Sequence, residues 1–293
     1  MKVLMVGKTG QLARFIQITQ PDIELVCLGR EQLDLSKPEH ISDKLGSYSF
    51  DLLLNAAAYT AVDKAESESG LAHAVNADSP GEMAKVCAAR GVPMIHYSTD
   101  YVFSGNASSP YVELDATGPN SVYGSSKLEG EQVVRKAHSK HFIFRTAWVY
   151  GEFGQNFFVT MRRLAAERDS LSIVSDQIGG PTYARAIANC SWQVIEKIRN
   201  DAEQPWGTYH LSCGGEVSWF EFAKALLSSS GYSDVKLVPL STAEYPTPAK
   251  RPAYSVLDNS ALNKNLGIRM PDWAQALETC IGYADAGASI DTK

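Results

Sequence analysis

Residues 2–13 read Lys2-Val3-Leu4-Met5-Val6-Gly7-Lys8-Thr9-Gly10-Gln11-Leu12-Ala13. A short apolar run that stops at a glycine has the pattern of a buried parallel strand. The segment after it, 11–18, carries Leu12, Phe15 and Ile16 at helical spacing. Between the two, Gly7, Gly10 and Ala13 stand three residues apart, a G-x-x-G-x-x-G turn with Ala in the third place. Glycine at the first two places allows a tight turn and a close backbone approach to a pyrophosphate on the helix N-terminus, and a small third residue lets helix and strand pack closely. A plain strand-to-helix loop can carry the same letters, so the turn takes its meaning from its surroundings.

Outward from this turn, strand and helix patterns alternate. Segments 24–28, 51–55, 92–97 and 141–145 read as further strands, and 72–89 as a long helix. Such alternation predicts right-handed βαβ units and an α/β fold with a Rossmann-like, doubly wound, mostly parallel sheet. Past Gly151 the rhythm loosens. The pattern predicts a helix over 156–168, an extended stretch at 172–174, a polar Gly-Pro-rich loop at 176–182, a helix over 184–198 and a strand at 208–212. Ser218-Trp219-Phe220-Glu221 fits a capping box before a helix running to Leu227. Three prolines keep 245–252 from being helical. The expected layout is a nucleotide-binding domain at 1–151, rejoined by 182–212, with a smaller C-terminal α/β substrate-binding part at 152–181 and 213–293.

The bulk properties narrow the function. The chain has 293 residues, 44% of them apolar and 20% charged, which is a globular composition. A net charge of −6 gives no general attraction for phosphate backbones or anionic membranes, so nucleic acid and membrane are not expected partners. The five cysteines are scattered and form no CxxC pair, which predicts buried free thiols rather than a disulfide or zinc framework. With no apolar run of about 20 residues and no secretory h-region, a cytoplasmic location is expected.

The end of the second strand bears on the cofactor. An acidic residue there would bind the ribose 2′-OH of NAD, whereas arginine would pair with the 2′-phosphate of NADP. Arg30 points to NADP, although a loop arginine is as readily a solvated charge. The most informative motif is Tyr123-Gly124-Ser125-Ser126-Lys127, which places a phenol and an ammonium on one helical face. Reducing a ketone needs a proton donor for the forming alkoxide. A phenol serves if a nearby cation lowers its pKa towards working pH, and the same lysine can hold the nicotinamide ribose. His96-Tyr97-Ser98-Thr99-Asp100 follows the fourth strand, where Thr99 can either donate to a substrate carbonyl or cap a turn. Asn55-Ala56-Ala57-Ala58-Tyr59 supplies small residues at the end of the third strand, suited to a flat cofactor or to tight packing.

Together these blocks, with Thr60 to Glu66, Val122 to Glu131, Phe144 to Tyr150, Asp176 to Thr182 and Tyr245 to Pro252, resemble the extended short-chain dehydrogenase/reductases that act on nucleotide sugars. More narrowly, they resemble the dTDP-4-dehydrorhamnose reductases. The resemblance implies NADPH-dependent reduction of the 4-keto group of dTDP-4-dehydro-L-rhamnose, with NADH open as a second cofactor. It puts Thr99, Tyr123 and Lys127 in the catalytic places, and Gly10, Gln11 and Leu12 at the pyrophosphate turn. Ala56, Ala57 and Ala58 fall on the cofactor-side wall, Asp34 and Leu35 on the adenine contact, and Tyr97 on another cofactor contact. Thr99, Asp100 and Trp148 match substrate contacts, Trp148 being equally readable as a core aromatic. By charge, Arg251 suits the sugar-nucleotide diphosphate or a surface loop.

Some members resemble magnesium-linked dimers held by glutamates, and here Phe15 and Arg185 occupy those places. Magnesium and a metal-bridged dimer are therefore not expected, and the oligomeric state is open. A dehydratase would need a second carboxylate where Tyr101 and Val102 stand. A nucleotide-sugar epimerase remains an alternative, as does a non-catalytic dinucleotide-binding subunit of the methionine adenosyltransferase type, which the intact Thr99, Tyr123 and Lys127 set disfavours.

Overall fold

The computed structural model describes residues 1–287. Its strands are β1 (Lys2–Val6), β2 (Glu24–Leu28), β3 (Leu52–Asn55), β4 (Met94–Thr99), β5 (His141–Thr146), β6 (Val149–Tyr150), β7 (Ser170–Val174), β8 (Ile178–Gly179), β9 (Thr182–Tyr183), β10 (Gly207–His210), β11 (Val217–Ser218) and β12 (Lys236–Leu240). Its helices are α1 (Gln11–Ile18), α2 (Ile41–Gly46), α3 (Val62–Ala65), α4 (Ser69–His73), α5 (Ser79–Arg90), α6 (Val122–Ala137), α7 (Phe157–Glu167), α8 (Ala184–Asn200), α9 (Trp219–Ser229), α10 (Ser260–Leu266) and α11 (Trp273–Asp285).

Six strands form one parallel sheet in the order β10-β5-β4-β3-β1-β2. Both faces are covered, as the near-continuous apolar strands require. Val3, Met5, Leu52 and Leu54 share a core with Ala13 and Ile16 of α1 and Ile187 and Val194 of α8. Leu4, Val6 and Leu53 turn the other way, onto Ile41 and Leu45 of α2 and Met83 and Cys87 of α5. The chain leaves β1 for β2 on one side and returns to β3 on the other, so the strand order reverses between β1 and β3. A crevice at the carboxyl ends of such strands is where doubly wound sheets bind ligands.

Beyond the sheet, β7 pairs parallel with β12, β8 antiparallel with β11, and β6 parallel with β9. α8 lies on α1, and β10 extends the sheet beside β5, so 184–210 adjoins the N-terminal half. Phe222, Leu226 and Leu277 from the C-terminal helices continue the same core that α8 lines. Residues 288–293 of the expected C-terminal part lie outside the described residues.

Several sequence expectations change in detail, among them the strand expected at 208–212, which is Gly207–His210. The helix expected over 72–89 runs from Ser69 to Arg90 and contains a π turn at Ala74–Asp78. β4 begins at Met94 rather than 92, because Pro93 has no N–H to give the ladder, and pairing runs on through Thr99↔Thr146. The loop expected at 176–182 contains β8 and ends in β9. At Ser218 only half of a capping box forms. Ser218 Oγ accepts from Glu221 N (3.1 Å), while the Glu221 carboxylate turns to Lys224. Four cysteines are buried and Cys27 is half-buried, and all five are free.

Candidate active site

The β1–α1 turn shows why its two glycines differ. Gly7 has φ +106°, its N–H donates to Leu28 O (2.9 Å), and a Cβ there would lie 3.1 Å from the Ala56 carbonyl carbon. It lets the turn press against the wall that follows β3. Gly10 is the N-cap of α1, and a Cβ built on it meets nothing within 4 Å. An open cradle therefore lies at a helix N-terminus, with Gln11 and Leu12 at its first turn. Ala13 is fully buried against the sheet, so the third small residue serves packing. The wall is held from below, where Asn55 Oδ1 accepts from Ala57 N (3.2 Å) and Asn55 Nδ2 lies 3.0 Å from His96 Nδ1. Ala56 and Ala57 are half-buried there and Ala58 is exposed.

At the end of β2, the Arg30 side chain is 81% exposed and reaches Asp34 at 3.6 Å. Asp34 Oδ1 also accepts from Ser36 Oγ (2.8 Å) and Ser36 N (3.1 Å), hydrogen bonds that hold its carboxyl below the ordinary range. Leu35 is buried, and its carbonyl accepts from Ser79 Oγ (2.8 Å).

β4 delivers Thr99 and α6 delivers Tyr123 and Lys127. The start of α6 is fixed twice, by Ser121 Oγ accepting from Gly124 N (3.1 Å) and by Glu66 Oε1 accepting from Val122 N (2.9 Å). A Cβ on Gly124 would collide with the Tyr101 carbonyl oxygen, so this glycine lets the helix abut the turn after β4. The half-buried Tyr123 meets Tyr101 edge-on, with ring centroids 5.5 Å apart. Burial raises its phenol pKa, and the adjacent Thr99 hydroxyl draws it back in part. One helical turn on, Lys127 makes no hydrogen bond to the phenol oxygen. The ammonium instead donates to Tyr97 O (2.6 Å). Lys127 is itself buried, which lowers its pKa to about 8 against the opposing charge of Glu131.

Thr99 Oγ1 donates to Asp100 Oδ1 (2.9 Å) and accepts from Tyr101 N (3.2 Å), so it fills its turn-capping role as well as facing Tyr123. Burial pushes the Asp100 carboxyl up to about 6, although the Ser255 and Thr99 hydroxyls pull the other way. Tyr97 contributes its carbonyl to this group, while its hydroxyl sits 2.5 Å from Ser191 Oγ on α8.

Trp148 has φ +45°, the one non-glycine in the left-handed region among the described residues. Its indole stacks on Trp219 at 3.5 Å, and a Cβ on Gly179 would strike it. Strain of this kind persists only where the surroundings enforce it, and it concentrates at functional sites. Arg251 Nη2 is 2.6 Å from Asp63 Oδ2, and Ala249 N donates to Asp63 Oδ1 (3.2 Å), so the arginine expected on a diphosphate is paired with a carboxylate here. Phe15 and Arg185 adjoin, with the guanidinium 5.6 Å from the ring centroid.

Sequence reasoning missed Asn76 and Glu131. Asn76, in the π turn, accepts from Tyr59 N (2.9 Å) and donates to Tyr59 O and Ser126 Oγ (both 3.0 Å). Glu131 is a fully buried carboxylate on α6, eight residues past Tyr123. Its available signal was an acidic residue on the same helical face as Lys127.

Comparison with known proteins finds relatives over nearly the whole chain. Residues 1–285 match a family model described as the RmlD substrate binding domain. A dTDP-4-dehydrorhamnose reductase from Sinorhizobium fredii is 44% identical over 94% of this chain and 95% of its own length. The protein of that name from Escherichia coli K12 is 40% identical over 93% and 94%. A crystal structure of a dTDP-4-dehydrorhamnose reductase from Clostridium acetobutylicum superposes with a TM-score of 0.91 at 37% identity, covering 97% of this chain and all of that one. One from Bacillus anthracis, in complex with NADP, gives 0.87 at 36% identity, covering 96% and 99%. A dTDP-glucose 4,6-dehydratase from Streptomyces venezuelae, at 18% identity and a TM-score of 0.76 over 98% of this chain and 97% of its own, shares the fold. The chain belongs to the dTDP-4-dehydrorhamnose reductase family.

Proposed function

We propose that this protein reduces the 4-keto group of dTDP-4-dehydro-L-rhamnose with NADPH, giving dTDP-L-rhamnose. The observation that carries the reading is the meeting of the Thr99 and Tyr123 hydroxyls beside a buried lysine at the carboxyl edge of the sheet. Family membership and the names of the relatives support the substrate. The open cradle at Gly10 fits a dinucleotide pyrophosphate, with Gly7, Gln11 and Leu12 beside it, Ala56, Ala57 and Ala58 as its wall, and Asp34 and Leu35 towards the adenine. Arg30 suits a 2′-phosphate, and Tyr97 and Lys127 the nicotinamide end.

The bound cofactor supplies a hydride to C4. Tyr123, kept protonated by burial, gives its proton to the oxygen as negative charge develops there. Thr99 polarises the same oxygen by giving it the hydrogen bond now made to Asp100. Lys127 holds the ribose hydroxyls while charged. Asp100 and Trp148 flank the sugar, and Arg251 exchanges Asp63 for the diphosphate. In this reading 1–151 with 182–212 serve the cofactor, and 152–181 with 213–293 serve the substrate. The enzyme works in the cytoplasm, where its thiols stay reduced.

The test incubates the purified protein with dTDP-4-dehydro-L-rhamnose and NADPH, following nicotinamide absorbance and product by NMR. Stoichiometric oxidation with a new C4 hydroxyl is expected, and Tyr123→Phe should lower kcat by roughly 10²–10⁴-fold. Isomerised sugar without net NADPH consumption would identify an epimerase. Binding without turnover would identify a non-catalytic subunit.

A further inference from the structure

The buried charge group beneath the site has no role in the chemistry above. Glu131 lies one helical turn past Lys127 and is fully buried. Both of its oxygens are saturated. Oε1 accepts from Ser98 Oγ (2.6 Å) and Arg145 Nε (2.8 Å), and Oε2 from Arg145 Nη2 (2.7 Å) and Arg135 Nη1 (3.1 Å). Ser98 and Arg145 are paired across β4 and β5, each one residue before Thr99 and Thr146 at the strand ends. A single carboxylate therefore ties the helix carrying Tyr123 and Lys127 to the strand carrying Thr99, just below the reacting groups. Arg145 is itself clamped, over the Phe103 ring at 4.9 Å and by donation to Glu113 O (3.3 Å). An apolar cluster of the same shape would stabilise a core about as well as a buried ion pair, so stability alone does not account for these charges.

We propose that Glu131 is a positioning residue for the reduction, setting α6 against β4 and keeping Lys127 in its charged, ribose-holding form. The proposal rests on the Thr99, Tyr123 and Lys127 reading. Its electrostatic half follows from what faces Lys127. These are Glu131 on α6 and Tyr97 and His96 on β4; behind Glu131 stand Arg135 on α6, Arg145 on β5 and His210 on β10, and His141 stands beside His96. Burial holds His96, His141 and His210 in their neutral forms. Glu131 is the charge that supports the ammonium against desolvation, while Arg145 and Ser98 keep its own carboxyl ionised despite burial. Glu66 caps α6 at Val122 and His73 pairs with Glu129 on its outer side.

The test compares wild type with Glu131→Gln, Glu131→Asp and the charge-neutral double variant Glu131→Gln/Arg145→Gln, each checked for folding by thermal unfolding. The double variant leaves no unpaired buried charge and keeps the question answerable if Glu131→Gln does not fold. Two quantities are read against pH: the NADPH dissociation constant by nicotinamide fluorescence, and kcat. In wild type both should weaken as pH rises through about 8, where Lys127 loses its proton. The Gln variants should move this limb down by about one pH unit, and Glu131→Asp should restore most of it. A limb that stays in place in folded Gln variants, whatever happens to kcat, overturns the proposal while leaving the site reading intact. Wild-type NADPH binding and rate in Lys127→Met would overturn the site reading and the proposal with it.

Discussion

Asp100 shows what a buried carboxyl costs a fold. Its carboxyl is taken out of water beside Thr99, and burial raises its pKa to about 6 from an ordinary 3.8. Between those values the folded chain binds more protons than the unfolded one, so this group's contribution to stability falls as pH rises through about 4 to 6. Asp100→Asn removes the penalty above pH 6, and urea titration at pH 8 should find the variant more stable by on the order of 2 kcal/mol. At pH 4 the gain should vanish. As Asp100 adjoins the proposed proton donor, the stabilised variant should also be slower, the usual exchange at a working site. Arg30 is the opposite kind of residue, exposed and bound only to Asp34 at 3.6 Å. An exposed pair of this sort contributes little to the fold, so Arg30→Ala should leave the Tm within about 1 °C of wild type. It should raise KM for NADPH more than KM for NADH, and an equal rise for both would remove the argument that Arg30 reads a 2′-phosphate.

On the scale of elements, α6 is positioned by absences. A Cβ on Gly130 would collide with the carbonyl oxygen of Asn76, and one on Gly124 with that of Tyr101. In an exposed helix interior Gly→Ala gains about 1 kcal/mol, but here the sign reverses because backbone rather than a flexible side chain stands in the way. Gly130→Ala should destabilise by about 1–3 kcal/mol, the cost of overpacking a filled space, and should slow turnover by moving Tyr123 and Lys127. Differential scanning calorimetry with a kcat measurement checks both, and a higher Tm would contradict the packing argument. The same pair of elements marks where sequence reading stopped. The helix over 72–89 was legible in the sequence, but the π turn at Ala74–Asp78 within it was not. That turn goes with bonds from Asn76 to Tyr59 and Ser126, 17 and 50 residues away, and no local propensity encodes them. The Tyr123 and Lys127 spacing was legible because four residues on a helix make one face. Their electrostatics were not, since desolvation of the phenol depends on elements brought in from elsewhere.

Across the whole molecule, legibility tracks sequence separation. The sheet announced itself through runs such as Val3 to Val6 that are buried on both faces, so each strand could be read alone. Two-residue strands such as β8 and β11 exist only as partners across some 40 residues, and Trp148 finds Trp219 across a longer gap. Arg251 suited either a diphosphate or a surface loop by sequence, and its pairing with Asp63, 188 residues away, had no local signal. The same long-range logic bears on metal dependence. Phe15 packs against Phe153 at a tilt and Tyr183 edge-on, with ring centroids at 5.2 and 5.6 Å. Arg185 pairs with Glu152 at 3.4 Å, donates to Tyr183 Oη (3.2 Å) and covers the Tyr283 ring at 3.8 Å. Glu152 is the carboxylate beside them, and its oxygens are taken by Tyr183 and Arg185. A divalent cation prefers six or more oxygen ligands, yet here it would meet a guanidinium and an aromatic ring. EDTA should therefore leave both the sedimentation coefficient and kcat unchanged, and added magnesium should not shift either. A loss of activity or a slower-sedimenting species on chelation, reversed by magnesium, would show that carboxylates other than Glu152 hold a structural ion.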